Sequence, residues 1–263
     1  MSRSWRALGP LYDLLVALQF LTRFPVPRDL DPDQEALGRA AVAFPVVGAV
    51  VGGVLALTSL GLERAPWSEP IQVALLLVLG ILCTGAFHED GLADSFDGLW
   101  GGFAREDVLR IMRDSRVGTY GALALVMVVV LRGASLLGTS REVWALGLVV
   151  AHVCSRTTSL WMLRAFPYAR ATRAPGVAKP LIEGLTWGRL ARGMLVALAL
   201  VFFADGVRGA CMLLGACAGA AVLGVYVMRR LGGITGDTLG GVNVLCELGV
   251  LLAYAWAHPA AGV

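Results

Sequence analysis

The chain has 263 residues, of which 57% are hydrophobic and 16% are charged, and its mean hydropathy is +0.72. Soluble domains are usually about 45–50% apolar and about a quarter charged, so a disordered chain and an ordinary soluble enzyme are excluded. The net charge of +3 is too small to indicate a nucleic-acid partner. The composition predicts an all-α, polytopic integral membrane protein that forms a single domain over residues 1–263.

The N-terminal segment, residues 1–39, contains an apolar stretch at 7–24 with polar residues spaced through it. This pattern predicts an amphipathic helix that lies in the membrane interface or is partly buried, and Pro25 and Pro27 are expected to end it. Residues 28–39 form the most polar stretch of the chain, and we expect a loop there.

Seven stretches are long and apolar enough to predict membrane-spanning helices: residues 40–62, 71–87, 118–138, 143–163, 186–204, 209–228 and 239–257. The fifth is the weakest, because Arg189 and Arg192 lie in its first turns. With the N-terminus in the cytoplasm, seven spans place 17 Lys and Arg residues in cytoplasmic segments and 3 outside. Six spans would move Arg229 and Arg230 outside and weaken this bias, so the positive-inside rule favours seven.

The most informative segment is residues 88–117, which the seven spans make a cytoplasmic loop rich in acids and arginines. Asp90, Asp94 and Asp97 are spaced i, i+4 and i+7, which places them on one face if the segment is helical. Carboxylates so close repel one another unless a cation lies between them, and an oxygen-only ligand set suits Mg²⁺ or Mn²⁺. The spacing predicts a metal site that handles a diphosphate; a solvated acidic surface is the simpler alternative.

Two further features belong to this segment. His88 comes two residues before the first aspartate and has either a structural or a functional role. Arg110, Arg113 and Arg116 recur before the next span, either as ordinary membrane anchors or as a clamp on phosphate oxygens.

A second polar cluster lies near the C-terminus. Asp237 stands in a glycine-rich turn, on the same side of the membrane as Asp90 if the chain has seven spans. Glu247 lies within the last span, where an unpaired carboxylate is costly, so we expect Arg156 or Arg132 to pair with it. The pair is either structural or part of a site.

These residues carry a resemblance to the cobalamin synthase family of membrane enzymes, the adenosylcobinamide-GDP ribazoletransferases, over nearly the whole chain. The matching elements are FLTRFPVP at 20–27, FPVVG at 44–48, HEDGLAD at 88–94 with Asp97-Gly98, IMRDSRVG at 111–118, Ser155-Arg156, Tyr168-Ala169-Arg170, and GDTLG at 236–240 with Glu247. Three features depart from the family pattern, and one is the stretch ATRAPGVAK at 171–179, which is looser than the family's glycine-rich version. Gly241 stands where alanine is usual, and Val244 stands where many members have glutamate.

The resemblance implies that a ribose hydroxyl of α-ribazole, or of its 5′-phosphate, attacks the corrinoid-side phosphorus of adenosylcobinamide-GDP and releases GMP. It also implies a site in the cell's inner membrane that faces the cytoplasm, with the lipid bilayer as partner, and it allows a homo-oligomer. The implied Mg²⁺ ligands are Asp90, Asp94, Asp97 and Asp237. The implied catalytic residues are Asp97 or His88 as general base, with Asp94. The implied substrate-binding residues are Arg113, Asp114, Ser115, Arg116, Arg156 and Arg170.

Two other functions compete with this one. CDP-alcohol phosphotransferases also align aspartates over Mg²⁺, but their motif places Ala-Arg where this chain has Ala93-Asp94. A transporter could use Arg132, Arg156 and Glu247 as a polar pathway. The absence of a recognisable repeat weighs against it, as does the concentration of polar residues in loops.

Overall fold

The computed structural model describes residues 5–169 and 178–260, and this part of the chain is helical, with two isolated β-bridges and no strand. Its eleven α-helices are α1 (Pro10–Leu21), α2 (Gln34–Ala40), α3 (Phe44–Leu62), α4 (Glu69–Thr84), α5 (Phe87–Gly101), α6 (Arg105–Ile111), α7 (Thr119–Leu137), α8 (Trp144–Ala165), α9 (Ala178–Gly184), α10 (Trp187–Leu231) and α11 (Gly236–Ala257). The all-α, multi-span fold predicted from composition is confirmed.

Five helical runs in the described residues are long and apolar enough to cross a membrane, and the bent pair α4–α5 makes a sixth. The longest of them, α10, is two helices. Asp205 and Gly206 have non-helical backbone angles, and a Cβ on Gly209 would lie 2.3 Å from the carbonyl oxygen of Val201. Residues eight apart in a straight helix are about 12 Å apart, so α10 folds back on itself. Its two arms, counted separately, bring the number of crossings to the predicted seven.

The bundle has two ends. At one end, called here the motif end, α3, α7 and α11 begin, and the α1 ring of Phe20 stacks on Phe44 with centroids 6.1 Å apart. At the opposite end α10 turns, and Tyr254 donates a hydrogen bond of 2.6 Å to Asp205. The central helix is α8, whose side chains are buried along most of its length.

The N-terminal segment is more ordered than its polarity suggests. Helix α1 has 12 residues, too short to cross a bilayer, and it packs on the motif end through Tyr12, Val16 and Leu21. The loop predicted at 28–39 is only partly correct, because α2 begins at Gln34. Asp33 caps it by accepting a hydrogen bond of 2.8 Å from the backbone N–H of Ala36.

The predicted loop at 88–117 is also wrong in its local structure, since α5 and α6 occupy most of it. Helix α5 leaves α4 at an angle of 90°. Gly85 and Ala86 make this corner with φ values of 65° and 59°. The corner lays α5 against α7 and α11. Asp90, Asp94 and Asp97 all belong to α5, so the acidic motif is helical and not a loop.

Candidate active site

The two acidic motifs meet where α5 crosses the start of α11. A Cβ on Gly91 would lie 2.7 Å from the carbonyl oxygen of Asp237 and 3.1 Å from the Cα of Gly240. Only glycine allows backbones to approach this closely. Asp90 and Asp94, on either side of Gly91 in the sequence, therefore lie at the same end of the bundle as Asp237. Asp90 is exposed, and Asp94 and Asp237 are half-buried.

Asp97 faces a different neighbour. Its carboxylate accepts hydrogen bonds of 2.7 Å from the backbone N–H of Gly118 and 2.8 Å from that of Gly121. These donors belong to the first turn of α7, which has no side-chain cap of its own. Asp97 therefore caps α7 from another helix, and its negative charge lies at the positive end of the α7 dipole.

The donor chemistry suits Mg²⁺, although the four predicted ligands are not gathered around one point. Within the described ranges, no three His, Cys, Asp or Glu side chains are grouped as a metal site. Mg²⁺ typically takes one or two protein carboxylates and fills its other positions with water and substrate phosphate. Asp90, Asp94 and Asp237 supply oxygen ligands of this kind, whereas both Asp97 oxygens already accept backbone hydrogen bonds. The magnesium site stays a prediction.

The segment between α6 and α7 carries the predicted phosphate-binding residues, and Arg113, Ser115 and Arg116 are exposed there. Arg116 forms an ion pair of 2.7 Å with Asp114. Hydrogen bonds from the Arg116 side chain and backbone lower the pKa of Asp114 to about 2. The same pairing raises the pKa of Arg116, so this cation is retained at every physiological pH. Asp97 holds the end of the segment at Gly118.

The predicted Tyr-Ala-Arg element lies against the turn that leads into α11. Ala169 donates a backbone hydrogen bond of 2.8 Å to Ile234, three residues before Asp237. Arg105 joins the two segments of this contact. Its guanidinium donates hydrogen bonds to the carbonyl oxygens of Ala169, at 2.5 Å, and Leu231, at 2.7 Å. Sequence reasoning missed this role of Arg105, which no local pattern reveals. Arg170 lies outside the described residues.

Deeper in the bundle, α5, α7, α8 and α11 share an interior charge cluster of Glu89, Arg132, His152, Arg156 and Glu247. Arg132 lies 2.5 Å from one Glu247 oxygen and 3.1 Å from Glu89, and Arg156 pairs with the other Glu247 oxygen. His152 Nδ1 lies 2.8 Å from that same oxygen. The predicted partner of Glu247 is confirmed, and both arginines fill the role instead of one.

His88 connects this cluster to the acidic site. It lines a cavity of about 30 Å³ together with all five members of the interior charge cluster. It also lines a second pocket, of about 40 Å³, with Gly236 and Gly240 at the start of α11. Arg156, predicted to bind phosphate, is 1% exposed and committed to Glu247. A phosphate role for Arg156 stays a prediction.

Comparisons with known proteins show the family to which the chain belongs. The family model of cobalamin-5-phosphate synthase matches residues 13–255. A protein of Leptothrix cholodnii named adenosylcobinamide-GDP ribazoletransferase is 42% identical, over 91% of this chain and 93% of its own. Proteins of the same name from Ralstonia nicotianae and Shewanella oneidensis are 40% and 37% identical, over 92% and 93% of this chain and 95% and 93% of theirs. No solved structure matches the chain significantly. The chain belongs to the cobalamin-5-phosphate synthase family.

Proposed function

We propose that this chain is an adenosylcobinamide-GDP ribazoletransferase, an integral membrane enzyme that attaches the adenosylcobinamide phosphate group to α-ribazole or its 5′-phosphate. The observation that carries the proposal is the contact of the two acidic motifs at Gly91 and Asp237, at one end of a membrane bundle. The relatives that match more than nine tenths of this chain carry this activity in their names.

The candidate metal ligands are the carboxylates of Asp90, Asp94 and Asp237. One or two of them would hold Mg²⁺, which would supply charge neutralisation on the diphosphate when it is bound. Transfer of a phosphoryl group depends mainly on positioning and electrostatic stabilisation, so nearby cations are the other requirement. Arg113 and Arg116 are assigned to the phosphate oxygens, together with Arg170 from the neighbouring segment. Asp114 orients Arg116, which leaves the outer edge of its guanidinium for substrate.

His88 is assigned as the general base for the attacking hydroxyl. Both carboxylate oxygens of the other candidate, Asp97, already accept backbone hydrogen bonds from the first turn of α7, so this side chain is engaged by the helix end. His88 stands at the pocket formed by Gly236 and Gly240, next to Asp237. A proton moves from the ribose hydroxyl to the imidazole as the oxygen attacks phosphorus, and GMP leaves with the electron pair of the broken bond.

We also assign the motif end to the cytoplasmic side of the inner membrane. This orientation follows from the distribution of Lys and Arg, 17 against 3, between the two sides. It exposes the acidic site to a soluble ribazole, while an amphipathic corrinoid could approach along the membrane surface.

The test is product analysis with the purified full chain in detergent, where no ion gradient exists. Adenosylcobinamide-GDP and α-ribazole are expected to yield the cobamide and one equivalent of GMP by mass spectrometry, with a rate that rises as Mg²⁺ is added. Asp94→Asn should lower kcat by about 100-fold or more, as for loss of one transition-state contact, and should change the Mg²⁺ dependence. Glu106→Gln, in the neighbouring α6 with a side chain 80% exposed, is the matched control.

Three outcomes would contradict the proposal. Release of CMP from a CDP-alcohol, with no turnover of the corrinoid, would favour the phosphotransferase alternative. Activity that requires a sealed vesicle and a gradient would favour a transporter. An Asp94→Asn enzyme with the wild-type rate and metal dependence would remove the carboxylate assignment.

A further inference from the structure

A groove of about 340 Å³ lies at the motif end, and none of the residues that line it belongs to the acidic site. One wall is the helical run that ends in α3, with Arg39, Val42 and Val46. The facing wall is the start of α10, with Arg189, Arg192 and Val196. Helix α1 closes the groove through Pro10, Asp13 and Leu14.

Both walls change from charged to apolar in the same direction. Arg39, Val42 and Val46 follow one another at i, i+3 and i+7, and Arg189, Arg192 and Val196 repeat this spacing. Such residues share one helix face, so each wall offers arginine at the motif end and valine deeper in the bundle. The groove therefore suits a ligand with an anionic head and an apolar tail.

The charge of the groove is not balanced by its own acids. Arg39 pairs with Asp13 at 3.3 Å and with Glu35 at 3.4 Å, and Arg189 pairs with Glu35 at 3.1 Å. Arg192 forms no ion pair within the described residues, and its hydrogen bond is a long one of 3.4 Å to the carbonyl oxygen of Gly188. One exposed guanidinium at the groove is thus available to an external anion.

The position of the groove along the bundle corresponds to the headgroup level of a bilayer. Trp187, the first residue of α10, is 62% exposed, and the guanidinium of Arg164 lies 4.0 Å from its ring centroid. Exposed tryptophans at helix ends are typical of the membrane–water interface. Arg192 lies five residues further along α10, about 7 Å deeper, where its side chain can still reach the headgroup level.

We propose that this groove binds one anionic phospholipid. The headgroup phosphate contacts Arg192, with Arg39 and Arg189 close by, and one acyl chain lies along Val42, Val46 and Val196. Basic pockets between membrane helices are suited to anionic headgroups, each Lys or Arg near the surface contributing about 1 kcal/mol. This lipid site is independent of the transferase assignment, because none of its residues belongs to the acidic site.

The test measures bound lipid on the purified full chain by native mass spectrometry. The protein is equilibrated in detergent with equal amounts of phosphatidylcholine and phosphatidylglycerol. Wild-type protein should retain the anionic lipid in several-fold excess, and Arg192→Gln should lower that excess about fivefold, whereas Arg192→Lys should keep most of it. Arg64→Gln, an exposed arginine at the opposite end of α3, is the matched control and should change nothing.

Val196→Trp tests the apolar half of the site, since an indole there would fill the path of the acyl chain and should lower retention of the anionic lipid. Equal retention of the two lipids by wild-type protein, or an unchanged excess in Arg192→Gln, would overturn the proposal. Displacement of the lipid by excess inorganic phosphate would also overturn it, because the groove would then recognise a free anion and not a lipid.

Discussion

The interior charge cluster and the acidic site both contain carboxylates, but they differ in how deeply these carboxylates are buried and in how they are paired. In the interior, Glu247 is paired by Arg132, Arg156 and His152, and each of the four residues is at most 8% exposed. At the acidic site, Asp90 is exposed and Asp94 and Asp237 are half-buried, with glycine backbone between them. The interior cluster balances its charges deep in the bundle, whereas the carboxylates of the acidic site lie where the bundle meets solvent.

This difference shows how position assigns a role to a charged residue in a membrane protein. A charge placed deep in the bundle must be neutralised by its neighbours, or the fold is lost. A charge at the membrane surface needs no such neutralisation, because water solvates it until a cation or a substrate binds. Asp97 belongs to the acidic motif by sequence. In the structure it resembles the interior charges, because both of its carboxylate oxygens accept hydrogen bonds from the backbone of α7.

The largest expected effect is that of Glu247→Ala, which removes the anion from the interior cluster. Glu89 would then be the one acid of the cluster left to balance Arg132 and Arg156, and breaking a buried pair costs about 3–5 kcal/mol. The unfolding free energy in mixed micelles should fall by that amount, with little folded protein at 37 °C. Glu142→Ala, exposed at the opposite end, should leave it unchanged. Equal stability of the two variants would mean that the cluster is not a structural element.

Asp97→Asn, compared with Asp94→Asn, separates the structural role of one aspartate of the motif from the proposed metal-binding role of the other. The amide can accept one backbone hydrogen bond, but its NH₂ group would face the other donor, at a cost of about 2 kcal/mol. Stability and activity should fall together, and amide exchange at Gly118 and Gly121 should quicken, whereas Asp94→Asn should lose activity at unchanged stability. Asp107→Asn, in an exposed ion pair with Arg110, is the control. An Asp97→Asn variant of wild-type stability would contradict the capping role.

Gly91→Ala tests whether the acidic site depends on the contact of α5 with α11. A Cβ there would press on the backbone of Asp237 and Gly240, which cannot move aside as a flexible side chain would. Overpacking should cost about 1–3 kcal/mol, partly offset by the better helix propensity of alanine, and activity should fall as well. Gly53→Ala in α3, with open space around the new methyl group, should instead stabilise the protein slightly. A Gly91→Ala variant that unfolds no earlier than wild type would show that the contact is loose.

Much of this arrangement could be predicted from the sequence. Hydropathy located the spans, including the two arms of α10, because hydrocarbon demands long apolar helices wherever a chain crosses it. The spacing of Asp90, Asp94 and Asp97 showed which residues would share a face if the segment were helical, and Glu247 required an arginine partner for an energetic reason. Each of these inferences rests on a local pattern or on a cost that no surrounding structure can remove.

The remaining features depend on contacts between distant segments. No pattern near Asp97 indicates that the first turn of α7 is its partner, although α7 starts at Gly118 without a Ser, Thr or Asp cap, and this was the one available signal. Arg105 has two carbonyl partners on segments more than sixty residues away. The groove at Arg192 likewise forms only when α3 and α10 come together.

The smallest expected effect concerns Asp114, a charged residue that is held by a neighbour and yet exposed to solvent. Its hydrogen bonds with Arg116 lower its pKa from 3.8 to about 2. A lowered pKa contributes stability that is complete above the unfolded value and is lost as the pH falls through the folded value. The ion pair should therefore persist from pH 7 to pH 4 and dissolve only near pH 2, which ¹³C spectra of labelled aspartate can follow, with Asp114→Asn assigning the signal. Because the pair is exposed, Asp114→Asn should hardly change the unfolding temperature, whereas a midpoint near pH 4 would show that Arg116 is free to bind substrate without it.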